Sequence, residues 1–300
     1  METQATETQM EKQVPNWTFE GKEYPCFVAD NTYSIGVQIK RNPEDKEPIG
    51  IIVSNFDWSK HEEKGETIYS STPFVNRLDL DWKAVRDVKE NVTEQQRKNL
   101  DRQNATCFDA IITDGEMIAN KDGEHQPPIA LSRAQMQSRT TELKSNIISQ
   151  FLSGFHIKRH FPKGVDELDA LTSGSVEAIH FLCSIGDAKN PTNLLLLSFG
   201  VPNDDQRRAF DDNKVKNESQ VEQGVETVWT TINSEMKLRY AKKHLQSVKG
   251  AAVNLDGQLT EVSNDITLTQ FKDSFCPDWF FRLGDALQDT FDIGGKSRTS

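Results

Sequence analysis

No apolar run in these 300 residues approaches the ~18 needed to cross a bilayer, so no segment reads as a membrane helix. Cysteine is scarce: Cys26, Cys107, Cys183 and Cys276 are scattered, and no two form a C-x-x-C pair. Zinc takes thiolates in close pairs from a tight turn, so this dispersion excludes the common zinc modules. It is also too sparse for a disulfide framework, and the four read as reduced, mostly buried thiols. Basic charge falls short as well, with 35 Lys and Arg against 46 Asp and Glu, a net charge of −11. Phosphate backbones and anionic headgroups are held by an excess of Lys and Arg, so neither nucleic acid nor a membrane is expected as a partner. Residues 1–14 are rich in Glu, Gln and Thr without an apolar centre, which is not a signal peptide. The expected compartment is the cytoplasm. Without a secretory signal the four N-x-S/T sequons, at Asn16, Asn91, Asn104 and Asn217, carry no weight.

What is present suffices to fold. Sixteen Phe and five Trp, each burying roughly 150–250 Å², supply a core despite only 35% hydrophobic residues. The length suggests two domains. Residues 1–15 read as a disordered arm. Strands are expected over 17–20 and 24–28 as a hairpin, then over 33–40, where Tyr33, Ile35, Val37 and Ile39 alternate to one face, and over 49–56 after Pro48. A polar loop to about residue 72 precedes an amphipathic helix with Leu78, Trp82, Val85, Val88 and Val92 as its stripe. Asp114-Gly115 suggests a hairpin between 110–113 and 116–119. Ser132 suggests an N-cap for a helix burying Met136, Leu143, Ile147 and Phe151. A linker is expected from His156 to Ser173.

The second half reads in a similar order. Strands over 178–185 and 193–201 come first, the latter central because Leu194 to Leu197 are consecutive. A helix over 204–213 and a charged loop over 214–220 follow. Next comes a long helix carrying Val221, Val225, Val228, Ile232 and Met236, then a turn at Asp256-Gly257. Thr269 is an expected N-cap, and Pro277 opens a last helix with Phe280, Leu283, Leu287 and Phe291.

Aligned, Pro48 and Ile51 to Phe56 match Pro191 and Leu194 to Phe199, 143 residues apart. Asp114-Gly115 matches Asp256-Gly257 at 142, Ile129 to Ser132 matches Ile266 to Thr269 at 137, and Trp82 lies near the place of Trp229. The expected fold is therefore α+β, with two tandem copies of a β-hairpin-plus-helices module packed as a pseudo-dimer. Module 1 spans 16–153, a linker 154–173, module 2 174–292 and a flexible tail 293–300.

No motif assigns chemistry. His156 and His160 have H-x-x-x-H spacing, but Lys158 and Arg159 between them repel a cation and no Glu follows His156. His180 and Cys183 are three apart on one expected strand, so they face opposite sides. Gly294-Gly295-Lys296-Ser297 resembles the end of a phosphate loop, but Thr290 stands where its first Gly belongs. Asp79, Asp81 and Lys83, like Asp166, Glu167 and Asp169 or Asp204 and Asp205, read as acidic helix starts favoured by the macrodipole. The D-G pairs lack a calcium-ligand series. No catalytic, cofactor-binding or metal residue is assigned, and no cofactor is expected.

One stretch carries a resemblance. Gly186-Asp187-Ala188-Lys189-Asn190-Pro191-Thr192 leads into Leu194 to Phe199, then Val201-Pro202, Asp205-Gln206-Arg207-Arg208 and Phe210. This resembles small prophage proteins of the virion-assembly region. The run from Trp17 to Tyr24 is similar to the opening of many phage tail-assembly proteins. The resemblance implies a tail or virion assembly factor without an active site, and, for a phage-encoded chain, the virion as the alternative to the cytoplasm. The expectation is thus a non-enzymatic protein acting through protein–protein contacts, with self-association among them. Two alternatives stand beside it: a hydrolase whose site assembles at the module interface, and an acidic inhibitor that mimics nucleic acid.

Overall fold

The computed structural model describes residues 14–40, 44, 47–62, 71–77, 82–121, 124–161, 177–186, 191–213, 215–222, 225–232 and 234–290. They form a mixed α+β fold. The first half runs β1 (Asn16–Phe19), β2 (Lys22–Pro25), β3 (Phe27–Ala29), β4 (Thr32–Ile39), β5 (Gly50–Asp57), α1 (Ser59–Glu62), β6 (Ser71–Arg77), α2 (Trp82–Ile111), β7 (Ile112–Lys121), β8 (Glu124–His125), β9 (Ile129–Ser132), α3 (Arg133–Gln137) and α4 (Thr141–Ser153). The second runs β10 (Phe155–His160), β11 (Ala178–Gly186), β12 (Pro191–Gly200), α5 (Asp204–Asn213), β13 (Val215–Glu222), β14 (Val225–Ile232), α6 (Ser234–His244), β15 (Leu245–Lys249), β16 (Ala251–Leu255), β17 (Gln258–Glu261), α7 (Asp265–Ser274) and α8 (Pro277–Asp289).

Alternation builds the first sheet, in which β4, β5 and β7 lie side by side. Tyr33, Val37, Ile52 and Phe56 point inward and are buried, as period-two patterning requires. The second sheet has the order β10-β11-β12-β15. Leu195, Leu197 and Phe199 of β12 face the main core, while Leu194 and Leu196 face the β1–β2 hairpin through Trp17, Phe19 and Tyr24. Burial on both faces explains the unbroken leucines. The hairpin turns at Glu20-Gly21, both with positive φ, and Asp256-Gly257 turns β16 into β17 in the same way.

Two further pairings cross between the halves. β3 runs parallel to β16, with Phe27 opposite Ala251, and β6 adds to β14 of the β13–β14 hairpin. A single buried core also spans both halves. At its centre Phe151 of α4 stacks on Trp279 of α8 at 4.9 Å, and Phe155 of β10 stacks on the same indole at 4.9 Å. Tyr33 and Trp58 close on Phe151 at 5.2 and 4.9 Å. Sheet pairing and core therefore pass straight across the expected division at 154–173.

Several local expectations are corrected. Asp114-Gly115 is no turn but lies within the continuous strand β7. Gly115 is needed because a Cβ there would meet the Val53 carbonyl oxygen at 2.5 Å and the Met136 sulfur at 2.8 Å. Residues 155–160, expected in a linker, form β10, whose Phe155 is fully buried; residues 162–176 lie outside the described set. The expected loop over 214–220 and helix from Val221 to Met236 are the β13–β14 hairpin, with helix only from Ser234. Val225, Thr227, Val228, Thr230, Thr231 and Ile232 are β-branched and stiff, which outweighs a valine spacing that happens to suit a helix. The expected loop to residue 72 contains α1 and the start of β6. Ser132 does cap, with a reciprocal capping box to Gln135, but the helix breaks and restarts at Thr140. Thr269 lies inside α7, and the N-cap is Asn264, boxed with Thr267. The arm over 1–13, Phe291 and the tail over 293–300 lie outside the described residues.

These corrections remove most of the sequence alignment. Asp114-Gly115 and Asp256-Gly257 occupy a strand and a turn, Ile129 to Ser132 form a strand ahead of an N-cap while Ile266 to Thr269 are helical, and Trp82 opens a helix whereas Trp229 lies in β14. Of these aligned anchors, only the β5 and β12 segments occupy like elements.

Candidate functional site

The histidines weighed from the sequence lie on the second sheet. Four residues apart on a strand, His156 and His160 share a face but sit about 13 Å apart, too far to ligate one ion. His156 Nε2 lies 3.1 Å from the Gly186 carbonyl. His160 meets Phe19 edge-on at 5.5 Å and stands opposite His180 on β11. His180 Nδ1 lies 2.8 Å from Ser198 Oγ, and burial, then His160 and Lys249, hold its pKa below the usual imidazole range. Cys183 points the other way into the core, fully buried. The structure brings His160 and His180 together, and among the described residues it gives them no acid and no nucleophilic thiol.

The four cysteines are all free and buried. Burial pushes Cys26 up to about 11 and Cys107, Cys183 and Cys276 well above the thiol range, so none is a thiolate at neutral pH. Near Cys107 and Cys276 lies a group the sequence reading passed over. Asp278, in the first turn of α8, is wholly buried, and neither carboxyl oxygen has a hydrogen-bond partner. Burial pushes its pKa up to about 7. An acidic residue after a helix-opening proline reads as a solvated macrodipole partner; its flanks, Phe275 before and Trp279-Phe280 after, are the signal of a buried site instead.

Among the described residues, cavities open at two places of note. One of about 600 Å³ lies between β1, β15 and the start of α7, lined by Trp17, Lys249, Glu261 and Asp265 among others. The other, about 440 Å³, is a groove between α5 and α6. Asn203 caps α5 in a box with Gln206, so Asp204 and Asp205 are a first-turn pair. The groove holds Phe210, Tyr240 and His244 with Glu235, Arg239 and Lys243. Neither cavity is lined by His156, His160 or His180.

Among the described residues, no three or more His, Cys, Asp or Glu are placed to hold a metal ion, and no helix is long and apolar enough to cross a membrane. Asp79, Asp81, residues 166–169 and residues 294–297 lie outside the described set. The chain matches no protein-family model, no curated protein and no solved structure.

Proposed function

We propose that the protein is a non-enzymatic assembly factor working through protein–protein contacts, built as a single-chain pseudo-dimer and serving phage tail or virion assembly. The observation that carries this reading is a repeated junction. α2 passes into β7 at Ile111-Ile112 with no residue between, and α6 passes into β15 at His244-Leu245 in the same way. Each resulting strand pairs with the second strand of a hairpin earlier in its half, β5 of β4–β5 or β12 of β11–β12. β7 then turns back onto β9, as β16 turns back onto β17 in the second half, and a boxed N-cap, Ser132 or Asn264, starts the helix that follows each. The junctions are 133 residues apart and the boxed N-caps 132. The sequence counterpart of Asp256-Gly257 is then Asp122-Gly123, at 134, not Asp114-Gly115.

Such a duplicate turns much of its interior to holding its halves together and meets partners at its surface. Beside each N-cap stands an isoleucine left in water: Ile129 is 61% exposed and Ile266 71%. Two apolar points on one rigid body suit a contact made at two places. The resemblance to virion-assembly proteins points the same way.

The test is sedimentation velocity and native mass spectrometry of the full chain, with pull-down against the tail and virion proteins encoded beside its gene. Concentration-dependent self-association or a defined complex is expected, weakened in Ile129→Lys/Ile266→Lys. A strict monomer that binds none of those proteins overturns the reading.

A further inference from the structure

The groove between α5 and α6 has a construction that its place in the fold does not require. Its floor is aromatic: Phe210 and Tyr240 are buried, with ring centroids 4.5 Å apart. The Tyr240 hydroxyl turns away, donating to Gln288 Oε1 at 3.3 Å, while Gln288 Nε2 donates to Asp211 Oδ2 at 2.9 Å. The phenol's polar end is thereby engaged away from the groove, which is left with ring surface. At the end of α6, His244 is 8% exposed and its ring meets that of Tyr240 at 4.8 Å. Its Nε2 is buried with no hydrogen-bond partner. A buried polar nitrogen left unpaired is costly and calls for an explanation. On the rim, Arg239 and Lys243 stand one turn apart on α6, and Glu235, one turn before Arg239, pairs with it.

Basic residues near a helix C-terminus are favoured by the macrodipole, which accounts for Lys242 and Lys243 in the last turn. It does not account for an aromatic floor, an orphaned imidazole and a further cation, Arg239, around one cavity. We infer that this groove binds a small organic anion with a flat apolar body, of the aryl carboxylate class. The aryl ring lies on Phe210 and Tyr240, the carboxylate sits between Arg239 and Lys243, and one oxygen accepts from His244 Nε2. Burial, then Lys243, hold the pKa of His244 below the usual range, so the ring is neutral, and its Nε2–H tautomer is the one the bound carboxylate selects. The volume, about 440 Å³, falls in the range of small-ligand sites, roughly 300–1,000 Å³. Glu235 competes for Arg239 in the empty groove and is displaced on binding.

Titration of 2-naphthoate into the full-length protein by calorimetry tests this, with 2-naphthalenemethanol as the neutral analogue and acetate as the ringless one. Saturable one-to-one binding of naphthoate is expected, with both analogues far weaker. Arg239→Gln/Lys243→Gln, both at exposed positions, should weaken it about tenfold, and Glu235→Gln should tighten it. His244→Phe, which keeps the ring and removes the donor, should weaken it several-fold. Absence of saturable binding, equal binding of the neutral analogue, or indifference to the double variant overturns the assignment. These readouts do not depend on any protein partner.

Discussion

Asp278 sets the clearest pH dependence at the level of a single side chain. Its carboxyl is buried beside Cys107 and Cys276 without a hydrogen bond, and burial lifts its pKa from 3.8 to about 7. Between those values the folded chain keeps a proton that the unfolded chain has released. The raised pKa therefore contributes stability that is fully present below about pH 4 and is lost as pH rises through 7. Asp278→Asn keeps the shape and removes the ionisation. Urea unfolding at pH 5 and pH 8 should show the variant gaining on the parent by roughly 2–4 kcal/mol more at the higher pH. A constant difference across that range would mean that the carboxyl is not buried as described. The residue's own charge and its place after a helix-opening proline read as solvated, and only the aromatic flanks, Phe275 and Trp279-Phe280, mark its burial. Tyr240 and His244 escaped notice for a related reason: their partner Phe210 lies on another helix.

Elements were legible where one local signal dominated. Strict alternation located β4, Pro48 preceded β5, consecutive leucines placed β12 inside its sheet, and Ser132 and Pro277 each opened a helix. Reading failed where two signals competed. In 221–236 valine spacing favoured helix while β-branching favoured strand, and the pairing of β14 with both β13 and β6 decided for strand. At Gly115 the glycine signal was real, but its cause was close packing against β5 and α3. The two capping boxes give this scale its prediction. Ser132 accepts from the Gln135 N–H and Asn264 from the Thr267 N–H, so alanine at either position frees a helix-start donor. Ser132→Ala and Asn264→Ala should each lower stability by about 1 kcal/mol in chemical denaturation, and their sum should be additive because the boxes share no partner. Thr269→Ala, at the position first expected to cap, should change it far less, since its hydroxyl only returns to the Asp265 carbonyl within the helix.

For the molecule as a whole, the α+β class was legible, but the way the halves lock together was not. Cross-half pairing of β3 with β16 and of β6 with β14 depends on contacts 148 to 224 residues apart, which no local pattern encodes. The same interlocking decides how the chain unfolds. Phe151 comes from the first half and Trp279 from the second, with Phe155 against the same indole, so this stack belongs to neither half alone. The two halves should therefore unfold together in one calorimetric transition. Trp279→Ala, at a 1% exposed position, should lower the stability of the entire chain by about 3–5 kcal/mol, not loosen one side. Residues 16–153 expressed alone would leave Tyr33 and Phe151 without their cover of Trp279. That fragment should give weak near-ultraviolet circular dichroism, bind a hydrophobic dye and regain fixed packing only on mixing with residues 154–292. A fragment that melts cooperatively by itself would show that each half closes its own core, and the single-core description would fail.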